Sequence, residues 1–414
     1  MGVRARALWI SGLAVAVGAG AFLLRPSTPA AAPAVALSVP PPASATPLEK
    51  VRFILEKQEK ALVDGDEKAW LAPVDAKLQG RYRAIFRNLR ALDLTQAELE
   101  FDDQPDMTGT TMVVRIRLSY CFDGVECMLS QTADHGSAPD VVHKLTWTVR
   151  DGAYQLTGIA DSGIANGLEP APWEDKALSI VRGPRVTLAA PASTAGQLDR
   201  FLPLAEKAAV VADRYAGKLG NPQPRYRIYL ADKKSWNSWY SKADPGKLTA
   251  AYHLLIGWTG SDTVVHTELV RPGTDAEITA LLQHELTHGV TLNGNKDQSG
   301  GPLWLVEGIA EYIGNLPRQP KATDSRYFVR GPRTIAVAPV ADDADSATVS
   351  NLYATGHFAV GCMAAKYGEP KMLDFVARVV RKGQGLDPAA RAAFGKPFKT
   401  VDKACVSWIK QQIG

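Results

Sequence analysis

Apolar positions along this chain follow two rhythms, and the rhythms come in blocks. From Leu48 to Asp64, Leu48, Val51, Ile54, Leu55, Ala61 and Leu62 recur at helical spacing, and Gly65 closes the run. A second helical pattern, Lys77 to Leu92, carries Tyr82, Ile85, Phe86 and Leu89. The period then falls to two. Met112, Val114, Ile116, Leu118, Tyr120 and Phe122 alternate with Val113, Arg115, Arg117, Ser119 and Cys121, which predicts a half-buried strand. Val141 to Arg150 and Ala153 to Ile159, joined by Asp151-Gly152, predict a hairpin with a tight turn. Helices followed by an antiparallel sheet make residues 48–165 a separate α+β domain.

A new unit, 173–414, begins near Trp173. Arg185 to Ala190 predicts a strand, Leu198 to Leu219 a long helix closed by Gly220, and Tyr226 to Leu230 and Thr263 to Val270 two further strands. The last of these is the candidate edge strand along which a peptide could pair. After Pro272-Gly273, Thr274-x-x-Glu277 has the form of a capping box. The helix it opens places Ile278, Leu281, Leu282, Leu286 and Val290 toward a core. Pro302 suits the first turn of another helix and Gly314 its end. An irregular stretch, Pro317 to Ala347, precedes helical patterns that make 315–414 an all-helical lobe. The fold class is therefore α+β throughout, with a cleft expected between a small mixed sheet and the helical lobe.

The N-terminus breaks both rhythms. Ala7 to Leu24 is a run of 18 uncharged residues preceded by Arg4 and Arg6. As a helix it would span about 27 Å, close to a bilayer's hydrocarbon thickness. Residues 1–25 thus read as a membrane anchor or signal segment, with the basic end inside and the bulk of the chain outside the cytoplasm. Pro33 directly after Ala30-Ala31-Ala32 disfavours cleavage there, so a single-pass anchor is preferred to a secreted form. Residues 26–47 hold seven prolines in 22 positions, an extended linker that cannot bury a core. Charge is nearly balanced, 47 basic residues against 43 acidic, and no basic stripe points to nucleic acid. An exported chain usually oxidises an even set of cysteines. Of three possible connectivities, Cys121–Cys127 across Gly124 and Cys362–Cys405 between two predicted C-terminal helices are preferred.

The chemistry concentrates in His284-Glu285-Leu286-Thr287-His288. The chain has only 7 histidines, and two of them fall four apart on a helix with a glutamate beside the first. Residues at i and i+4 share a helix face, so both imidazoles can reach one zinc ion. Glu285 can then take a proton from a water activated there. Eighteen residues further on, Trp304-Leu305-Val306-Glu307-Gly308 offers a carboxylate as third ligand, with Glu311 one turn later. Downstream, Tyr353-Ala354-Thr355-Gly356-His357 leads into an apolar helical run.

These motifs resemble the gluzincin metallopeptidases, in particular their aminopeptidase-N-like branch, over roughly residues 180–414. The resemblance implies His284, His288 and Glu307 as zinc ligands, Glu285 as general base, and Glu311 as a carboxylate behind a ligand histidine. It also implies Tyr353 as hydrogen-bond donor to the developing oxyanion; His357 could take that role or support it. The substrate would be a peptide or protein. One departure narrows this: the Gly-x-Met-Glu-Asn segment that grips a substrate amine in the aminopeptidases is absent, and Ile256 to Asp262 stands in its place. Residues 48–165 resemble the nuclear-transport-factor-2-like fold in element order. Such a fold can hold a ligand pocket, for which Trp147 and Tyr154 are candidates, although core packing is their commoner use. The alternative function is an extracytoplasmic binding or scaffold protein with a vestigial zinc site.

Overall fold

The computed structural model describes residues 41–413, apart from 43, 124–126, 128, 130–137, 162–168, 175, 241–248, 258–259, 296–300 and 342–343. The apolar run 7–24, most of the linker and Gly124 lie outside the described residues. Among the described residues no helix is long and apolar enough to cross a membrane.

The chain opens with α1 (Pro47–Asp64), α2 (Glu67–Leu71) and α3 (Gln79–Ala91). Thr46 and Glu49 form a capping box at the start of α1, and Gly65 ends it in the left-handed conformation, φ 84°. A sheet follows: β1 (Leu94–Phe101), β2 (Asp106–Thr108), β3 (Thr111–Phe122), β4 (Asp140–Arg150) and β5 (Ala153–Asp161). It is antiparallel in the order β1-β3-β4-β5, with β2 paired to β3. Asp151 and Gly152 both have positive φ, 51° and 78°, as the tight hairpin turn requires. Trp147 is completely buried in the core, while Tyr154 packs at its margin. Neither lines the cavity of about 20 Å³ that Gln58, Trp70, Tyr82 and His143 help to enclose. That volume holds little more than one water.

The second sheet comprises β6 (Ser179–Arg182), β7 (Val186–Ala190), β8 (Tyr226–Ala231), β9 (Ala251–Ile256) and β10 (Gly260–His266). The order is β6-β7-β8-β10-β9, parallel at β7-β8 and β8-β10, antiparallel at both edges. Between β7 and β8 runs α4 (Leu198–Leu219), which ends at left-handed Gly220. Two short helices, α5 (Lys233–Trp236) and α6 (Thr267–Val270), flank β9 and β10. The expected strand Thr263–Val270 is corrected here. Its second half is α6, and β10 lies inside the sheet with its main chain engaged by β8 and by β9. It has no free edge to offer a peptide; the edge strands are β9, beside it, and β6.

The remaining helices are α7 (Asp275–Leu292), α8 (Leu303–Gly314), α9 (Ser346–Tyr367), α10 (Glu369–Val376), α11 (Leu386–Phe394) and α12 (Phe398–Ile413), with a π-helical turn at Ala377–Arg381. α4 and α7 pack on one face of the second sheet. Its other face is covered by the first unit together with Trp236, Trp239 and Tyr240. Tyr229, Tyr252, Leu254 and Val264 belong to one buried cluster with Leu55, Trp147 and Tyr120. Covered on both faces, β8 is buried at every position, which explains why no period of two marks it in the sequence. At this junction Arg227 and Asp262, 5% and 1% exposed in their side chains, form an ion pair of 2.9 Å. Tyr240 Oη donates to Asp262 Oδ2 at 2.6 Å, and the Arg227 guanidinium lies 4.4 Å over the Phe122 ring.

Both expected disulfides are present, Cys121–Cys127 with Cα–Cα 5.8 Å and Cys362–Cys405 with 5.6 Å. The second joins α9 to α12 across 43 residues of sequence and the first spans only 6. Loop-closure entropy gives the longer bridge about 4 kcal/mol and the shorter about 2 kcal/mol. Replacing Cys362 and Cys405 together by alanine should therefore cost roughly twice what the Cys121/Cys127 pair costs, read by urea denaturation.

Glu59 supplies a pH dependence. Burial raises its carboxyl to about 7; the Leu99 N–H opposes this, and neighbouring Glu98, Glu56 and Glu100 reinforce it. An acid raised in the folded state favours folding most below its ordinary value of 4.5, and that contribution disappears as pH climbs through about 7. Melting temperature should fall between pH 5 and 7.5, and Glu59→Gln should flatten that fall.

Candidate metal centre

The site is carried by three helices whose positions are fixed by caps and by glycine. Thr274 Oγ1 accepts from the Glu277 N–H at 3.3 Å while Glu277 Oε2 accepts from the Thr274 N–H at 2.8 Å, so α7 starts where its sequence predicts. From Leu281 to Leu292 every residue of α7 is buried. α8 runs on to Gly314, where a Cβ would lie 3.0 Å from the Cβ of His284. At Gly308 a Cβ would lie 2.5 Å from the Gly356 carbonyl oxygen, and one on Gly356 would run into the carbonyl of Trp304. Only glycine lets α8 and α9 meet main chain to main chain.

This packing brings His284, His288 and Glu307 together, 3%, 0% and 0% exposed. The two Nε2 atoms lie 3.1 Å apart, and Glu307 Oε2 is 3.3 Å from His284 Nε2 and 3.7 Å from His288 Nε2. Tetrahedral bonds of roughly 2.0–2.1 Å give donor separations of about 3.3 Å, so the triangle has the size a metal ion needs. Among the described residues it is the one His/Cys/Asp/Glu group with this geometry. The donor chemistry agrees. Both imidazoles present their outer nitrogen, and a carboxylate buried among them calls for positive charge.

Charge in the site is unevenly shared. Burial disfavours the imidazolium of His284, but its hydrogen bonds to the Glu307 and Glu311 carboxylates outweigh it and raise the ring to about 10. Burial, then the charge of His284, keeps His288 well below its ordinary value. Burial raises Glu307, against the pull of His284 and a hydrogen bond from Tyr353. A divalent ion would serve all three groups at once and displace the proton that His284 otherwise holds.

The other candidates surround this triangle. Glu285 is completely buried next to His284 and adds to its positive charge. Glu311 Oε1 lies 3.2 Å from His284 Nδ1, behind the ring; burial works to raise its carboxyl, but His284 holds it down. Tyr353 stacks on the His284 ring at 6.3 Å with planes 10° apart. It sits two turns inside α9, which begins at Ser346 capped by Asp345, and not at the helix start. His357 is fully buried; its Nδ1 faces Ser325 Oγ at 3.0 Å and Glu311 Oε2 at 3.9 Å. That nitrogen is turned to the carboxylate behind His284, away from the three donors. Burial holds His357 down at about 4.

Two neighbours carry no sequence signature. His253 on β9 lies 6.2 Å from the His288 ring, with its Nδ1 3.3 Å from Thr263 Oγ1, and burial depresses it to about 3. Asn315 donates to Glu311 Oε2 at 2.9 Å. His253 is hidden in a continuous apolar run. Asn315, four residues after Glu311, was detectable only from helix periodicity.

No protein-family model matches the chain, and no curated protein matches it. The site's chemistry is thus carried by its geometry. Gly356→Ala should cost roughly 1–3 kcal/mol through forced separation of α8 and α9. It should also lower bound metal after zinc loading, measured by elemental analysis. Gly217→Ala, at an exposed helical position with open space around it, should cost no stability, gaining up to about 1 kcal/mol, and leave bound metal unchanged.

Proposed function

We propose that this chain is a zinc-dependent peptidase of gluzincin type acting outside the cytoplasm, on peptide or protein substrates. The observation that carries the reading is the buried triangle of His284, His288 and Glu307 at tetrahedral donor spacing, with Glu285 adjacent. Two nitrogens and one carboxylate oxygen are a donor set common to catalytic zinc, which when bound polarises a carbonyl and acidifies a water. Glu285 accepts the proton and returns it to the leaving amine. Tyr353, packed on His284, donates to the oxyanion. Glu311 fixes the tautomer of His284. A mixed sheet followed by the two ligand helices and a helical lobe supports the gluzincin reading of 173–414. Helices before a four-strand antiparallel ladder suit a nuclear-transport-factor-2-like reading of 48–165. Extracytoplasmic location rests on the apolar run 7–24, as anchor or signal, and on the two disulfides.

A second reading has one observation in its favour. His284, Glu285, His288 and Glu307 are all 3% exposed or less, as suits a metal that stabilises an extracytoplasmic scaffold. The two readings separate on the Glu285→Gln variant. The peptidase reading expects stoichiometric zinc in wild type and variant, with cleavage of a mixed peptide library falling at least about 100-fold in the variant. Zinc bound by a wild type that cuts nothing in the library would favour the scaffold. Glu307→Ala should lower zinc occupancy, and unchanged metal content would point to another third ligand.

A further inference from the structure

The Glu311 side chain reaches solvent, 21% exposed. A glutamate has three rotatable side-chain bonds, and one contact to a histidine does not by itself hold its carboxylate against water. Here both oxygens are engaged. Oε1 faces His284 Nδ1 at 3.2 Å, and Oε2 accepts from Asn315 Nδ2 at 2.9 Å. Asn315 Oδ1 in turn accepts from Arg318 Nη2 at 3.0 Å, and Arg318 is exposed. On the other flank His357 Nδ1 stands 3.9 Å from Oε2, itself bonded to Ser325. A hydrogen-bond chain therefore runs from a surface guanidinium through an amide and a carboxylate to the back of a metal-ligand ring.

We propose that Asn315, backed by Arg318, is a positioning residue of the metal centre. It pins Glu311 so that Oε1 stays on His284 Nδ1 and the ring keeps Nε2 toward His288 and Glu307. The proposal rests on the reading of those three residues as a metal site. The order of the chain fits. A donor on Oε2 leaves Oε1 to accept from His284, and the guanidinium draws electron density from the amide oxygen, strengthening the amide N–H as a donor. Asn315 has a second role from which this must be told apart. It caps α8, its backbone N–H donating to the Glu311 carbonyl at 3.1 Å and its Nδ2 to the same oxygen at 3.0 Å.

The test uses the full chain and reads zinc affinity by chelator competition, with the melting temperature of the metal-free protein alongside. Asn315→Asp keeps the shape of the side chain and the backbone N–H bond of the cap, but it replaces by a carboxylate the amide that donates to both Glu311 Oε2 and the Glu311 carbonyl, which is why the metal-free melting temperature is read alongside. It should weaken zinc binding roughly 10–100-fold. Arg318→Ala should act in the same direction by less. In a Glu311→Ala background, Asn315→Asp should have no further effect on affinity, because the residue acts through Glu311. Unchanged affinity in Asn315→Asp overturns the proposal. So does a loss of equal size with and without Glu311, or a loss that only follows a fall in metal-free melting temperature. A wild type that binds no zinc is a different result, since it removes the metal-site reading itself before any variant is compared.

Discussion

The contact between Gly308 and Gly356 is the constraint on which the site depends. At that point α8 and α9 touch through their main chains, because a Cβ on either glycine would overlap the other helix. Glu307 and Glu311 lie on either side of Gly308 along α8, and Tyr353 and His357 on either side of Gly356 along α9. A single close approach thus sets the register of four side chains against one another. Gly314 does the same between the end of α8 and His284 on α7. Two glycine crossings hold three helices in a fixed relation, and the donor triangle follows from that relation.

Burial gives the triangle its chemical character. α7 lies with α4 on one face of the second sheet, and α8 packs against it, so from Leu281 to Leu292 α7 has no face left to solvent. Two imidazoles and a carboxylate in such a place cannot be solvated and must be compensated internally. The carboxylates answer His284 from both ends of its ring, Glu307 at Nε2 and Glu311 at Nδ1. His288 is left as the neutral partner. The same logic acts where the two sheets meet, where Arg227 and Asp262 neutralise each other and Tyr240 satisfies the remaining carboxylate oxygen.

Local signals in the sequence were read correctly wherever the cause was local. The capping box at Thr274, the left-handed ends at Gly65 and Gly220 and the Asp151-Gly152 hairpin each depend on a few adjacent residues. The pairing of His284 with His288 was legible because helix geometry alone relates them, whereas Glu307, on another helix, was a candidate through its spacing and the resemblance it carries. The mixed helix and sheet class followed from the two periodicities. What escaped depends on tertiary placement. β1, Leu94–Phe101, alternates poorly because most of its side chains are only partly covered. β9 and β10 are buried at nearly every position, so neither their pairing nor which of them is the edge can be read from period. The glycines of α8 and α9 were visible as motif letters, but their function is a contact between segments 48 residues apart in sequence.

The second sheet is a shared wall. Its far side is apolar, with Tyr229, Tyr252, Leu254 and Val264 facing the first unit and none of them more than 1% exposed. In evolutionary terms the two halves are therefore not interchangeable modules. Cut near residue 173, the second half would keep Trp236, Trp239 and Tyr240 on this face and the Arg227–Asp262 pair intact, but it would lose the Phe122 ring beneath Arg227 and uncover the rest of the wall.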